Sequence, residues 1–179
     1  MLPEPVSFES DCSNCASLCC FAYAFTKGVE FPIEKDADEL CPHIGKVSGC
    51  QIHANRAARG FTGCIKYECL GAGQRVVQEV FKGASWRDDP ALLKPMSEGL
   101  RVMKVLHEML QLLETVEILP LTPEETRLYQ DLLARAMPET PFTPESLIAF
   151  PVYQLRRDVT QFIRGLAHHV SSQRRADQN

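Results

Sequence analysis

The stretch DCSNCASLCCFAYAF, residues 11–25, places four cysteines within nine positions, and two of them, Cys19 and Cys20, are adjacent. Its reading governs the whole chain. All eight cysteines (12, 15, 19, 20, 41, 50, 64 and 69) fall in the first 69 residues, and the remaining 110 contain none. That step in composition divides the chain into two structural regimes. Proline and glycine recur through the first at Pro32, Pro42, Gly45, Gly49, Gly60 and Gly63, with only short apolar periodicity. A segment of this kind struggles to bury enough surface alone and needs a cross-link.

Three explanations compete for the thiols. Cysteine is often a small buried apolar residue, but a whole complement crowded into 58 residues is not a core-packing distribution. A disulfide framework suits the even count, yet the N-terminus MLPEPVSFES has neither the basic nor the apolar region of a secretory signal. Adjacent cysteines would also each need a separately oriented partner. Metal ligation is favoured. The spacing C-x2-C-x3-C-C, then C-x8-C, then C-x4-C gives short chelating arms on longer connectors. A C-x2-C turn lets two thiolates reach one ion at about 2.3 Å. Cys12, Cys15, Cys19, Cys20, Cys41, Cys50, Cys64 and Cys69 are the candidate ligands, enough for two tetrahedral sites or one bridged cluster. His53, three residues after Cys50, is added as a nitrogen ligand, ahead of His43. Zn2+ is the expected metal; Fe or an Fe–S cluster is the alternative, since thiolates suit both. Lys46, Arg56, Arg59 and Lys66 lie among the ligands and would offset thiolate charge.

These residues resemble the YkgJ-type cysteine-cluster family, described as zinc- or iron-chelating. The ordered cysteines carry the likeness together with CPHIG, C-x-I-H and the C-x4-C pair. A closer likeness, over about residues 11–87, is to the cysteine-rich module preceding pentapeptide repeats in some bacterial proteins, carried by GFTGCIKYECLGAGQ (60–74) and VVQEVFKGASWR (76–87). The resemblance implies metal binding without specifying an activity, and no pentapeptide repeats follow here.

The second half reads as helical. Leu100, Met103, Leu106, Leu110 and Leu113, flanked by Val102, Val105, Met109, Leu112 and Val116, form a wide apolar arc over 97–116. Thr122-Pro123-Glu124-Glu125 is a capping box opening a helix over 122–137. A short helix follows Thr143-Pro144 and stops at Pro151. Another runs over 152–170 on Val152, Leu155, Val159, Phe162, Leu166 and Val170. In the first half, Val76, Val77, Val80 and Phe81 predict a short helix over 74–82 closed by Gly83.

The expected fold is therefore mainly α. An irregular cysteine-ligated module (1–90) packs against three to four helices (95–170), joined through 86–95 and followed by a disordered tail (171–179). Trp86 is expected to dock the two halves. The net charge of −4 is shared evenly, with 10 basic and 12 acidic residues up to residue 94 and 9 and 11 after it. No nucleic-acid partner is implied, and Arg156-Arg157 and Arg174-Arg175 read as solvated surface. No apolar run approaches the roughly 18 residues of a membrane span, so a soluble cytosolic protein is expected, its thiols kept reduced.

The Gly71-Ala72-Gly73 turn lacks the third glycine of a dinucleotide loop and follows no strand. No nucleophile–base–acid grouping stands out. His107 reads as a structural core residue, and His168-His169 as an exposed pair at a helix end. Two functions stay open: a structural or interaction module whose helices contact a partner or a second copy, and a redox or enzymatic iron protein.

Overall fold

The computed structural model describes residues 6–47 and 49–169. The tail expected to be disordered, with Val170 and Arg174-Arg175, lies outside the described residues. The protein is mainly α: among the described residues there are seven α-helices and no strand. Two isolated antiparallel bridges, Phe25 with Lys35 and Ile44 with Cys50, are the extended pairings recorded. None of the described helices is long and apolar enough to cross a membrane.

The chain resolves into two compact units. One comprises Ser7–Lys104 with Phe142–Phe150; the other comprises Val105–Pro141 and 151–169 among the described residues. The division falls inside a helix, 104/105, rather than in the 86–95 stretch.

In the cysteine-bearing unit, α1 (Cys19–Ala22) and α2 (Thr62–Lys66) are single turns. The predicted short helix begins earlier than its apolar stripe, as α3 (Ala72–Arg75), and widens into a π-helical turn over Val76–Val80. There the Phe81 N–H donates to Val76 O at 2.9 Å. Lys82 and Gly83 then both take positive φ, and the Gly83 N–H closes on Val77 O at 2.8 Å. The first part of α4 (Leu93–Glu114) and α6 (Pro144–Ile148) complete this unit. They meet at Gly99, where an added Cβ would sit 3.3 Å from Leu147 and 3.6 Å from Val76.

The other unit holds the end of α4, α5 (Pro123–Ala136) and α7 (Val152–Gly165). The capping box forms as expected: Thr122 N–H donates to Glu125 Oε2 at 2.8 Å, and Glu125 N–H to Thr122 Oγ1 at 3.3 Å. Helices α5 and α7 pack together. Val152, Leu155, Val159, Phe162 and Leu166 are all buried, as their spacing requires. His107 is fully buried, in keeping with a core position.

Candidate metal centre

Local turn chemistry delivers each cysteine arm. The Asp11 carboxylate accepts from the Ser13 hydroxyl, the Asn14 amide at 2.7 Å and the Ser13 N–H at 2.9 Å, which fixes the turn bearing Cys12 and Cys15. These bonds, the Ser13 hydroxyl first, hold the carboxyl down at about 2. Ser17 adopts φ +60°, and α1 then starts at Cys19. The second arm is tied to the first because the Cys41 N–H donates to Cys20 O at 3.0 Å. Cys50 returns to it through the bridge to Ile44. The third arm carries Cys64 on α2 and Cys69 just before a left-handed pair, Leu70 at φ +55° and Gly71 at φ +77°.

The three arms lie loosely near one another, and their thiols fall into two overlapping groups. Cys12, Cys15, Cys19 and Cys69 form the first: Cys12 and Cys15 each lie in the electrostatic field of Cys19 and Cys69. Gly73 makes room for it, since a Cβ there would stand 2.6 Å from Cys15 Sγ and 3.8 Å from Cys69 Sγ. The second set, Cys20, Cys41, Cys50 and Cys64, surrounds the small core of Phe25, Ile52 and Phe61. Cys64 feels Cys19 first, then Cys41 and Cys50. The adjacent pair straddles the sets: Cys19 is hydrogen-bonded to Cys20 and also influences Cys41 and Cys64. All eight thiols are free. Three sulfurs are nowhere mutually within 4.8 Å among the described residues; the one ligand set that tight is Glu125, His168 and His169, in the other unit.

Burial raises the thiol pKa of Cys12, Cys15, Cys41 and Cys64. It pushes Cys15 up to about 12 and Cys64 to about 11, the latter helped by Cys19, Cys41 and Cys50. Cys19 is raised well above the ordinary thiol range, first by its bond to Cys20 and then by burial. Backbone N–H groups act the other way, from Leu18 and Ser17 onto Cys15 and from His43 onto Cys41. Such donors support a thiolate when a cation removes the proton.

Of the four cations noted in the sequence, Arg56 is the one built into the site. Its Nη1 donates to Cys64 O at 3.1 Å, and its charge favours the thiolates of Cys12 and Cys64. Lys66 pairs instead with Glu30 at 2.6 Å, and Lys46 and Arg59 are exposed. Two further cations escaped the sequence reading. Lys35 is 4% exposed, with Nζ on the carbonyls of Asp36 (2.8 Å) and Glu39 (2.9 Å); burial lowers its pKa while Cys41 and Cys20 pull it up. Arg87 donates to Ala16 O at 3.0 Å and lies in the field of Cys20 and Cys15. Trp86 joins it, its indole N–H bonding Ala16 O at 2.7 Å and its ring 4.4 Å from the Arg87 guanidinium. Trp86 thus secures the first cysteine arm, a role within the cysteine-bearing unit. His53 is exposed on a turn, its N–H donating to Cys50 O at 3.1 Å; His43 stacks edge-on against Phe61.

The donor set fits a thiophilic metal. Partly buried sulfurs, backbone N–H groups beside Cys15 and Cys41, and nearby cations suit deprotonated thiols held on an ion. The buried Tyr67 hydroxyl faces Tyr23 and stands within the field of Cys19 and Cys69.

No family model matches the chain, and no solved structure matches it. Among curated proteins it is similar to YybG of Bacillus subtilis (strain 168), itself described as uncharacterized, with 31% identity over 170 residues. The alignment takes in 93% of this chain and 60% of YybG, so the chain spans about three-fifths of that relative's length.

Proposed function

We propose that the protein binds metal through its eight cysteines, as two zinc ions in two four-thiol sites. The nearness of the three cysteine arms, with Cys12 and Cys15 beside Cys19 and Cys69 and with Cys20, Cys41, Cys50 and Cys64 around one small core, is the observation that carries this reading. A four-thiolate zinc site is closed and structural, and its sulfurs stand about 3.8 Å apart, so the sets would tighten on loading. Cys19 and Cys20, at the seam, would couple the ions. His53, just past Cys50, would enter the second site only in place of a thiolate. The resemblance to the YkgJ-type cysteine-cluster proteins supports the same reading, and we propose that the chain is one of them. The setting we propose is the cytosol, with the helical region as the surface for a protein partner or a second copy.

The test is anaerobic purification of the untagged protein, followed by metal analysis, acid-labile sulfide and the visible spectrum. Colourless protein with about two zinc ions per chain is expected. A brown preparation carrying iron and sulfide would replace zinc with a redox cluster. Metal-free protein with paired thiols would overturn metal binding itself.

A further inference from the structure

Helix α5 and the chain beyond α7 bring together a second group of ligand atoms that the cysteines do not touch. Glu125 Oε2 lies 3.1 Å from His169 Nε2, and Glu125 Oε1 lies 3.4 Å from His168 Nε2. The two imidazole centroids are 4.0 Å apart. The His169 side chain is 10% exposed and that of Glu125 17%, while His168 is open to solvent. All three residues belong to the helical unit.

Hydrogen-bond logic at His168 is informative. Its Nδ1 stands 2.9 Å from Gly165 O, and a carbonyl only accepts, so Nδ1 carries the proton. In the neutral ring Nε2 then holds a lone pair, and it faces a carboxylate oxygen that is also an acceptor. Two acceptors face each other stably only with a positive charge between or on them: a second ring proton or a cation. An N–H of one nitrogen anchored on a carbonyl is also how metal-bound histidines are oriented. Two nitrogens and one carboxylate make a known zinc-binding set, and bonds of about 2.0–2.1 Å imply ligand separations of about 3.3 Å in a tetrahedron. One carboxylate oxygen faces each ring, at 3.1 and 3.4 Å, and one ligand atom from each residue lies within 4.8 Å of the other two.

We propose that Glu125, His168 and His169 form a nitrogen- and oxygen-ligated site for a divalent cation of the zinc class, independent of the thiols. Three protein ligands leave the remaining coordination to solvent. The same carboxylate caps α5 through the Thr122 N–H, so the cation would tie the start of α5 to the chain beyond α7.

The experiment uses the full untagged chain. Zn2+ is added to 15N-labelled protein and the histidine side-chain nitrogens are followed by long-range correlation spectra. In parallel, Co2+ is bound to the wild type and to His168→Gln, His169→Gln and Glu125→Gln, the last retaining an acceptor for the cap. We expect Nε2 of His168 and His169 to shift on Zn2+ addition. Each variant should bind about one ion fewer per chain, with the thiolate-to-cobalt charge-transfer band unchanged. Should the cysteine reading fail, that band would be missing while the difference between wild type and variants persisted. Unmoved imidazole nitrogens in the wild type, or an equal ion count in variants with wild-type circular dichroism, would overturn the site and leave an imidazolium–carboxylate pair. The nitrogen measurement stands even where a variant fails to fold.

Discussion

The helical unit and the cysteine-bearing unit differ in what holds their chain in place. In the first, regular helices present continuous apolar stripes, and Leu110, Leu113, Leu155 and Val159 are each at most 1% exposed. In the second, the core around the thiols is four buried residues, Phe25, Cys41, Ile52 and Phe61, with two isolated bridges beside it. All four described non-glycine residues with positive φ (Ser17, Asp38, Leu70 and Lys82) are in that unit, and Ser17 and Leu70 adjoin the ligand arms. Such conformations cost roughly 1–2 kcal/mol each and persist only where the surroundings enforce them. A stripe of leucines enforces a helix through area removed from water. A strained loop with few apolar contacts requires a cross-link, and here the cross-link we propose is metal.

That contrast can be broken experimentally. The largest expected effect is from metal removal: a strong chelator under reducing conditions should abolish hydrogen-exchange protection over the cysteine arms while α5 and α7 keep theirs. Simultaneous loss in both regions would show one cooperative unit and end the comparison. Next, Leu155→Ala leaves a cavity in the helical unit and should cost about 2–5 kcal/mol in denaturant unfolding, with no change in metal content. Gly73→Ala acts on the other side, placing a methyl 2.6 Å from Cys15 Sγ. It should cost about 1–3 kcal/mol and lower the bound metal by about one ion, by displacing the first set of thiols. Unaltered metal content in folded Gly73→Ala protein would remove Cys15 or Cys69 from the site.

The smallest effect concerns charge. Arg135 beside Asp158 holds the Asp158 carboxyl below its ordinary 3.8. The group's folded pKa is depressed, so its contribution is complete above the unfolded value and is lost as pH falls below it. Asp158→Asn should cost about 0.5 kcal/mol at neutral pH and nothing once both forms are protonated, as read from melting curves against pH. A loss unchanged down to the lowest pH at which the protein folds would assign the effect to packing.

The outcome at particular residues separates what local sequence decides from what only the fold decides. The stripe Val152–Leu166, the capping box at Thr122 and the stop before Pro151 depend on interactions within a few residues, and all were readable. The π-helical turn at Val76–Val80 was not, because it arises where the chain meets Gly99 and Leu147 from distant elements. Cysteine spacing identified eight ligand candidates but could not divide them: membership of a set depends on which arms cross in space, as when Cys69 joins Cys15 over Gly73. Lys35, Arg87 and the Tyr67 hydroxyl carried no local signal, since each matters through the field or carbonyl of a residue far along the chain. His168 and His169 read as a solvated pair at a helix end until α5 placed Glu125 opposite them. Short-range hydrogen bonding and apolar periodicity are written in the sequence itself; convergence of ligands is a long-range property, and only the tertiary structure decides it.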